Sequence, residues 1–138
     1  MNAITSRPPP HGVEAWPGLP GIDAAAAKEY CGNSLELFKR LLVLLRKNYG
    51  DWSGDWLAVV SAGSASSKAD LCASLHKLRG GASTIGASHL ALVAGQVEHS
   101  LKEGQVQPLE AVQRVGEMLD RLLVQVGEWQ ESAQARGG

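Results

Sequence analysis

The sequence has few of the features that define disulfide-rich, membrane or nucleic-acid-binding proteins. It contains two cysteines, Cys31 and Cys72, which are too few for a disulfide framework or a four-ligand zinc site, so we expect reduced thiols. No apolar run is long enough to cross a bilayer, and no signal-peptide apolar segment opens the chain, which predicts a cytoplasmic protein without membrane insertion. The net charge is −1 without a long basic block, which argues against nucleic acid as a partner.

The sequence also lacks any stretch in which apolar and polar residues alternate with period two, so no β-strand is expected. Apolar residues instead recur at steps of three and four, which predicts amphipathic helices. At 138 residues the chain suits one domain with a modest core. Four such helices joined by short loops can bury their apolar stripes only against one another. We therefore predict an all-α fold, an antiparallel up-and-down four-helix bundle with an additional short N-terminal helix.

Proline is concentrated at the start of the chain. Residues 1–20 hold five of the six prolines, a density that disfavours helix and strand and predicts a flexible tail or linker. We expect the bundle over residues 21–134 and a frayed C-terminus over residues 135–138. Within the bundle, Asp23 is a candidate cap for the short first helix, which Gly32 should end.

The next helix carries a long apolar ladder. We expect it to begin at Asn33 and to run as one helix, with a kink, to about Gly63, because the ladder keeps its spacing through the intervening glycines; a break between Gly50 and Gly54 is the alternative. The run Leu41–Leu45 is apolar nearly all round, which predicts burial on several sides. The ladder consists of Phe38, Leu42, Leu45, Tyr49, Trp52, Trp56 and Val59.

Two further helices complete the predicted bundle. A break at Gly86 precedes a helix that should end at Gly104, and Pro108 suits the first position of the last helix. Both helices have a single apolar stripe, which we expect to face the core. The stripes are Leu90, Val93, Val97 and Leu101 in the first of them, and Val112, Val115, Leu119, Leu122, Val126 and Trp129 in the second.

One histidine lies beside the apolar stripe of the helix expected within Ser66–Gly86. His76 is rotated about 100° from Leu75, which belongs to the stripe, so the ring should face outward. Arg79 follows at i+3 and places a permanent cation within reach of an anion on the ring. Gly80, at i+4, costs about 1 kcal/mol relative to alanine, but it leaves the ring clear and its backbone approachable. The stripe is Leu71, Leu75, Leu78, Ala82 and Ile85.

The segment His76–Ala87, HKLRGGASTIGA, resembles the signature of histidine-containing phosphotransfer (HPt) domains, in which His-x-Leu-Lys-Gly-(Ala/Ser)-Ala is followed by Ile-Gly-Ala. Arg79 stands where the family usually has lysine, and Gly81 where it has alanine or serine, so positive charge and small size are kept. The segment Leu19–Asp23, LPGID, resembles the sequence that commonly opens the domain. The resemblance covers about residues 19–128 and implies the same helical bundle.

The resemblance implies a phosphoryl carrier without kinase activity of its own. Nε2 of His76 would attack the phospho-aspartate of a receiver domain and pass the phosphoryl group to the aspartate of another receiver in a multistep phosphorelay. A neutral imidazole is a competent nucleophile near pH 7. The expected partners are response-regulator receiver domains and a hybrid sensor kinase, of which this chain is either a separate partner or a part. We expect a monomer without a cofactor, since the Mg²⁺ ion would belong to the receiver.

The resemblance also implies roles for the residues around His76. Arg79 would offset the phosphoryl charge, and Gly80 would leave room for the docking receiver. Glu98 lies at the position where a Glu or Gln of the family often hydrogen-bonds the other ring nitrogen, which would hold Nδ1–H and leave Nε2 free. The landing site of the receiver should include Arg79 and Gly80 together with Cys72, Ala73, Lys77 and Ser83.

Two other functions compete with this interpretation. The dimerisation half of a sensor kinase would be an enzyme, but no Gly-rich ATP-binding region follows, and Lys77 replaces the acid usual after a kinase histidine. A non-catalytic docking module for receivers would keep the bundle with a silent His76. Cys72 and His76 could ligate a metal from one helical face, but His89 and His99, about 280° apart on their helix, cannot complete such a site with each other, so no metal is expected.

Overall fold

The computed structural model describes residues 15–64 and 66–137, with side chains up to residue 133. No strand occurs in these ranges, so the predicted all-α class is confirmed. Of the predicted tail, residues 1–14 lie outside the described part, and residues 15–20 form no helix. None of the described helices is both long enough and apolar enough to span a bilayer. The helices are α1 (Ala24–Tyr30), α2 (Leu35–Tyr49), α3 (Trp52–Ala62), α4 (Ser67–Thr84), α5 (Ser88–Lys102) and α6 (Pro108–Gly137).

The first two helices begin at polar caps. The Asp23 carboxylate accepts hydrogen bonds from the backbone N–H groups of Ala25 and Ala26, at 3.0 and 3.3 Å, as predicted for the N-cap of α1. The expected start of α2 at Asn33 is wrong by one position. Gly32, with φ 60°, ends α1 as predicted. Asn33 follows in the same left-handed conformation at φ 62°, and Ser34 instead caps α2 by accepting from the Leu37 N–H.

The single long helix expected from Asn33 to Gly63 is wrong, because the chain breaks between α2 and α3. Gly50 is still helical and donates to the Arg46 carbonyl at 2.9 Å, but Asp51 leaves the helical region at φ −108° and ψ 12°. The alternative, a break at residues 50–54, is confirmed. At the end of the ladder, Val60 packs against the core while Val59, which the sequence predicted there, is exposed.

The leucine-rich run of α2 is buried on one side only, so the predicted burial on several sides is wrong. Leu42 and Leu45 lie in the core, whereas Val43 is 56% exposed and Leu44 is 48% exposed. The reason is tertiary, since α2 packs against α1 and α6 and its outer face has no covering helix among the described residues. Apolar composition alone therefore overstated how far this helix is enclosed.

Contacts between α2–α3 and α4 fix how the site-bearing helix is held. The Tyr49 ring lies against Gly81, and the Trp52 indole N–H donates to Ser74 Oγ at 2.8 Å. Tyr49 contacts residue 81 and Trp52 contacts residue 74, so a later residue of α2–α3 meets an earlier residue of α4. These two segments run in opposite directions, and the indole hydrogen bond ties the broken helix to α4 just after the break.

The last helix crosses α2 and α3 at two glycines. The Ser53 side chain occupies the space where a Cβ of Gly116 would lie, and the Arg46 guanidinium lies over Gly127. Arg46 also donates to Gln130 Oε1 at 2.6 Å. The stripe predicted for α6 is buried from Val112 to Val126, with Trp129 packed at its edge. The small residues allow α6 to approach closely, and the order of contacts makes it antiparallel to α2 and α3.

The apolar stripe of α4 is confirmed as the centre of the core. Its residues Leu71, Leu75, Leu78 and Ala82, together with Ile85 at the C-cap of the helix, are almost completely buried. Burying a leucine or isoleucine side chain contributes roughly 1.5–3 kcal/mol. The opposite face of α4 is thereby fixed toward solvent.

The turn between α4 and α5 depends on Gly86, as predicted from the sequence. Gly86 has φ 78°, and its carbonyl accepts from the Asp23 N–H at 2.7 Å. A Cβ at this position would lie 2.5 Å from the Asp23 carbonyl oxygen, so only glycine fits. The turn lets α5 fold back along α4, the most extensively packed helix pair, and brings the side chains of α5 beside His76.

Candidate functional site

His76 projects from the exposed face of α4. Its side chain is 72% exposed, which is the outward orientation that the helical spacing predicted. The preceding residue, Leu75, is fully buried and anchors the same turn of helix. The imidazole is thus attached to a rigid helix but accessible to a large visiting molecule.

Glu98 on α5 approaches the ring from the neighbouring helix. Its Oε1 lies 3.5 Å from Nδ1 of His76, the outer limit of hydrogen-bond distance, and its side chain is only 9% exposed. A carboxylate at this place favours a proton on Nδ1 of the neutral ring. Nε2 is then left as the nitrogen with a free lone pair.

The second oxygen of Glu98 binds a residue that the sequence reasoning missed. Lys102 Nζ donates to Glu98 Oε2 at 2.9 Å, and the lysine side chain is 58% exposed. Lys102 follows Glu98 by one helical turn, so the i, i+4 spacing was the available signal. His76, Glu98 and Lys102 therefore form a continuous polar chain across α4 and α5.

The protonation of this chain follows from its surroundings. Burial raises the pKa of Glu98, but the hydrogen bond and charge of Lys102, with a further contribution from His76, outweigh burial and hold the pKa below its ordinary value of 4.5. The same hydrogen bond from Lys102 to the carboxylate raises the pKa of Lys102. Glu98 is therefore an ionised acceptor at neutral pH.

Arg79 lies across α5 instead of extending freely into solvent. A Cβ built on Gly95 would lie 3.2 Å from Arg79 Cδ and 3.5 Å from Nε, so the side chain rests on the glycine backbone. Among the described side chains, no carboxylate comes within ion-pair distance of its guanidinium. Gly95 was missed from the sequence, where a glycine inside an amphipathic helix was the only available signal.

The remaining residues of the predicted landing site lie on or beside the same face. Ala73 and Lys77 are exposed, and a Cβ added to Gly80 would have no neighbour within 4 Å. The Ser83 hydroxyl donates to the Arg79 carbonyl at 3.0 Å and is thus bonded to its own helix.

Cys72 differs from the other predicted landing residues because its side chain is buried. Burial is the largest influence on its thiol and raises the pKa, with the charges of Lys102, Glu98 and Lys68 as smaller influences. Cys72 therefore offers little surface to a visiting protein. Cys31 is likewise a buried free thiol.

The main concavity near the site does not contain the histidine. A cleft of about 750 Å³ lies between α2, α3 and α4, with Trp52, Trp56 and Lys77 among its lining residues. His76 stands on the adjacent ridge, without the enclosure that small-molecule sites provide. Within the described residues, no group of three or more His, Cys, Asp and Glu side chains could hold a metal ion. The exposed position of His76 therefore suits reaction with a group on the surface of another protein.

No curated protein and no solved structure matches the chain. A family model described as Hpt domain matches residues 28–125, which run from α1 to α6 and include His76, Arg79 and Glu98. This match covers well over half of the 138 residues. The chain therefore belongs to the Hpt domain family, whose members are phosphoryl carriers of two-component signalling that interact with receiver domains.

Proposed function

We propose that His76 accepts a phosphoryl group from the phospho-aspartate of one receiver domain and passes it to the aspartate of another in a multistep phosphorelay. The observation that carries this proposal is the exposed ring with Nδ1 directed at the buried carboxylate of Glu98. That arrangement assigns the two ring nitrogens different tasks. Nδ1 keeps its proton, and Nε2 supplies the electron pair.

The transfer balances without an added acid or base. The Nε2 lone pair attacks phosphorus, the N–P bond forms, and the O–P bond of the acyl phosphate breaks so that aspartate leaves as a carboxylate. The ring keeps its Nδ1 proton and becomes a phosphorylated imidazolium, whose positive charge faces the Glu98 carboxylate. Attack by the carboxylate of a second receiver reverses these steps and restores neutral imidazole.

The chain contributes position and charge more than chemistry. Arg79, which has no carboxylate partner among the described side chains, offsets the charge of the incoming phosphoryl group. Gly80 leaves space for the receiver above the ring. We assign no cofactor to this chain, because the Mg²⁺ ion of the reaction is held by the receiver.

We propose the following docking surface and cellular setting. The receiver lands on the exposed face of α4, which includes Ala73, Lys77 and Ser83 around the ring. The carrier acts as a cytoplasmic monomer, either beside a hybrid sensor kinase or as part of one. It has no kinase activity of its own.

The architecture that we propose for this carrier is an antiparallel up-and-down four-helix bundle. Its four members are α2–α3 taken as one broken helix, α4, α5 and α6, and α1 is the additional N-terminal helix. The opposed numbering of the Tyr49–Gly81 and Trp52–Ser74 contacts supports the antiparallel order of the first two members.

Phosphotransfer from a labelled receiver tests the proposal. The protein is mixed with a receiver carrying a ³²P-phosphoryl aspartate, and we expect acid-labile, alkali-stable label on the wild type and none on His76→Gln. His89→Gln and His99→Gln are matched controls, because both histidines are exposed on α5, and they should be labelled normally. ATP alone should leave the wild type unlabelled, whereas labelling by ATP would identify a kinase.

Two results would contradict the proposal. Equal labelling of the wild type and His76→Gln would place the acceptor elsewhere. Receiver binding without any labelling, measured by titration calorimetry alongside the transfer assay, would instead identify a docking module with a silent histidine.

A further inference from the structure

The two carboxylate oxygens of Glu98 have different partners, one on α5 and one on α4. Oε2 accepts from Lys102 Nζ at 2.9 Å, and Oε1 lies 3.5 Å from His76 Nδ1. The carboxylate is planar, so fixing one oxygen also restricts where the other can lie. Lys102 therefore limits the orientations that Glu98 can present to the ring.

The protonation state of Glu98 decides which tautomer it selects. An ionised carboxylate accepts a hydrogen bond from Nδ1–H, so the ring proton stays on Nδ1, whereas a protonated carboxyl group would donate a hydrogen bond to Nδ1 and leave the ring proton on Nε2. The second arrangement would block the proposed nucleophile. Glu98 therefore has to remain ionised although it is buried.

Lys102 is the main group that lowers the pKa of Glu98 and so opposes the effect of burial. The titratable groups that face Glu98 are Lys102 on its own helix and His76 and Cys72 on α4. Burial raises the pKa of Glu98, the hydrogen bond and charge of Lys102 lower it, and His76 adds a smaller lowering. Cys72 is a buried thiol whose pKa is itself raised by burial, so it stays neutral and does not compete.

We propose that Lys102 is a positioning residue for phosphotransfer, which acts through Glu98 to keep the proton of His76 on Nδ1 and the lone pair on Nε2. This inference rests on the proposed function of His76. Lys102 acts at a distance, because its own contact is with the far oxygen of Glu98. It is half exposed, so the surrounding core does not depend on it.

Removal of the lysine charge tests the inference. Lys102→Met keeps the length of the side chain but leaves Glu98 Oε2 without a cation. We expect ¹⁵N NMR of the unphosphorylated protein to show a smaller Nδ1–H population for His76, and transfer from a phosphorylated receiver at pH 7 to slow about tenfold, the scale of one lost charge-assisted hydrogen bond. Lys102→Arg should recover most of both signals.

Two matched variants separate this role from a general charge effect. Lys68→Met removes a lysine that influences Cys72 but does not contact Glu98, and it should leave tautomer and rate unchanged. Glu98→Ala should lower the Nδ1–H population by itself, and adding Lys102→Met to it should have no further effect. A further loss in the double variant would overturn the inference, because Lys102 would then act independently of Glu98.

The role of Lys102 and the carrier function of His76 are tested by different results. If Lys102→Met keeps the wild-type tautomer and rate while the wild type is labelled on His76, Lys102 has no positioning role and the carrier function stands. If the wild type is never labelled, the carrier function fails. The NMR tautomer measurement on the unphosphorylated protein still decides whether Lys102 acts on the ring.

Discussion

The two faces of α4 have opposite physical characters. One face carries five apolar residues that are almost completely buried, and the other carries His76 at 72% exposure beside a glycine with open space around it. The buried face holds the helix in place, and the exposed face presents a reactive ring. Substitutions one residue apart should therefore change stability and phosphotransfer separately.

The largest effect is expected on the buried face. Leu75→Ala removes a fully buried side chain and should lower the free energy of unfolding by about 2–5 kcal/mol, the usual range for a cavity of this kind. His76→Ala, one residue later, removes only an exposed ring and its partly exposed contact with Glu98. It should lower the free energy of unfolding by less than about 1 kcal/mol. Urea unfolding monitored by circular dichroism measures both; equal losses would erase the distinction between the faces.

On the exposed face, a substitution at Gly80 should raise the free energy of unfolding instead of lowering it. Gly80→Ala adds a methyl group in open space on a helix, so the free energy of unfolding should rise by about 0.5–1 kcal/mol. The same methyl group stands one turn from His76 and should slow transfer from a receiver severalfold. Gly81→Ala is the matched control, because its methyl group would face the Tyr49 ring at 3.8 Å, and transfer should be unaffected. Unchanged transfer in Gly80→Ala would remove the proposed role of Gly80.

A smaller effect is expected where α5 supports the exposed face. Gly95→Ala places a methyl group 3.2 Å from Arg79 Cδ, which should displace the flexible arginine. The cost of that tight contact should offset the gain in helix propensity from alanine, so the free energy of unfolding should change little. Transfer to His76 should slow in Gly95→Ala, and we expect the same slowing in Arg79→Gln. A double variant should be no slower than Arg79→Gln alone, since both changes act on one guanidinium. Additive losses in the transfer assay would mean that Gly95 acts by another route.

The smallest effect is a pH dependence of stability that comes from Glu98, the residue of α5 beside His76. The pKa of Glu98 in the folded state is below its ordinary value of 4.5, so ionised Glu98 stabilises the fold above pH 4.5. This contribution is lost as the pH falls through the lowered folded-state pKa. Urea unfolding of the wild type and Glu98→Gln between pH 6 and pH 3 should show the wild-type advantage shrinking as the pH falls. An advantage that grows on acidification would contradict the direction of this shift.

The predicted and observed helices differ most where two helices meet. The stripe of α4 and the stops at Gly86 and Gly104 were readable, because they depend on local spacing and on positive φ. The break at Asp51 was readable only as an alternative to one long helix, because the apolar ladder continues through it and the Trp52–Ser74 hydrogen bond that follows it is made to another helix. The exposure of Val43 and Leu44 was likewise hidden, because composition does not reveal which face lacks a neighbour.

Some features of the candidate site were likewise readable from the sequence, and others depended on how the helices pack. The outward direction of His76 follows from its position next to Leu75, and the resemblance to the family singled out Glu98. The contact of Arg79 with Gly95 joins α4 to α5, and it depends on how closely those helices pack. Lys102 shares a helix with Glu98, but its importance appears only once Glu98 is known to be buried beside the ring.

The sequence by itself determined that this protein is helical, which residues of α4 and α6 face inward, and that His76 faces outward beside a cation and a glycine. Those properties repeat every three or four residues along one chain segment, so local order carries them. Only the tertiary structure decided where the second helix breaks, how deeply Glu98 is buried and which cation binds its far oxygen. These depend on the distance and angle between packed helices, which no single helix specifies.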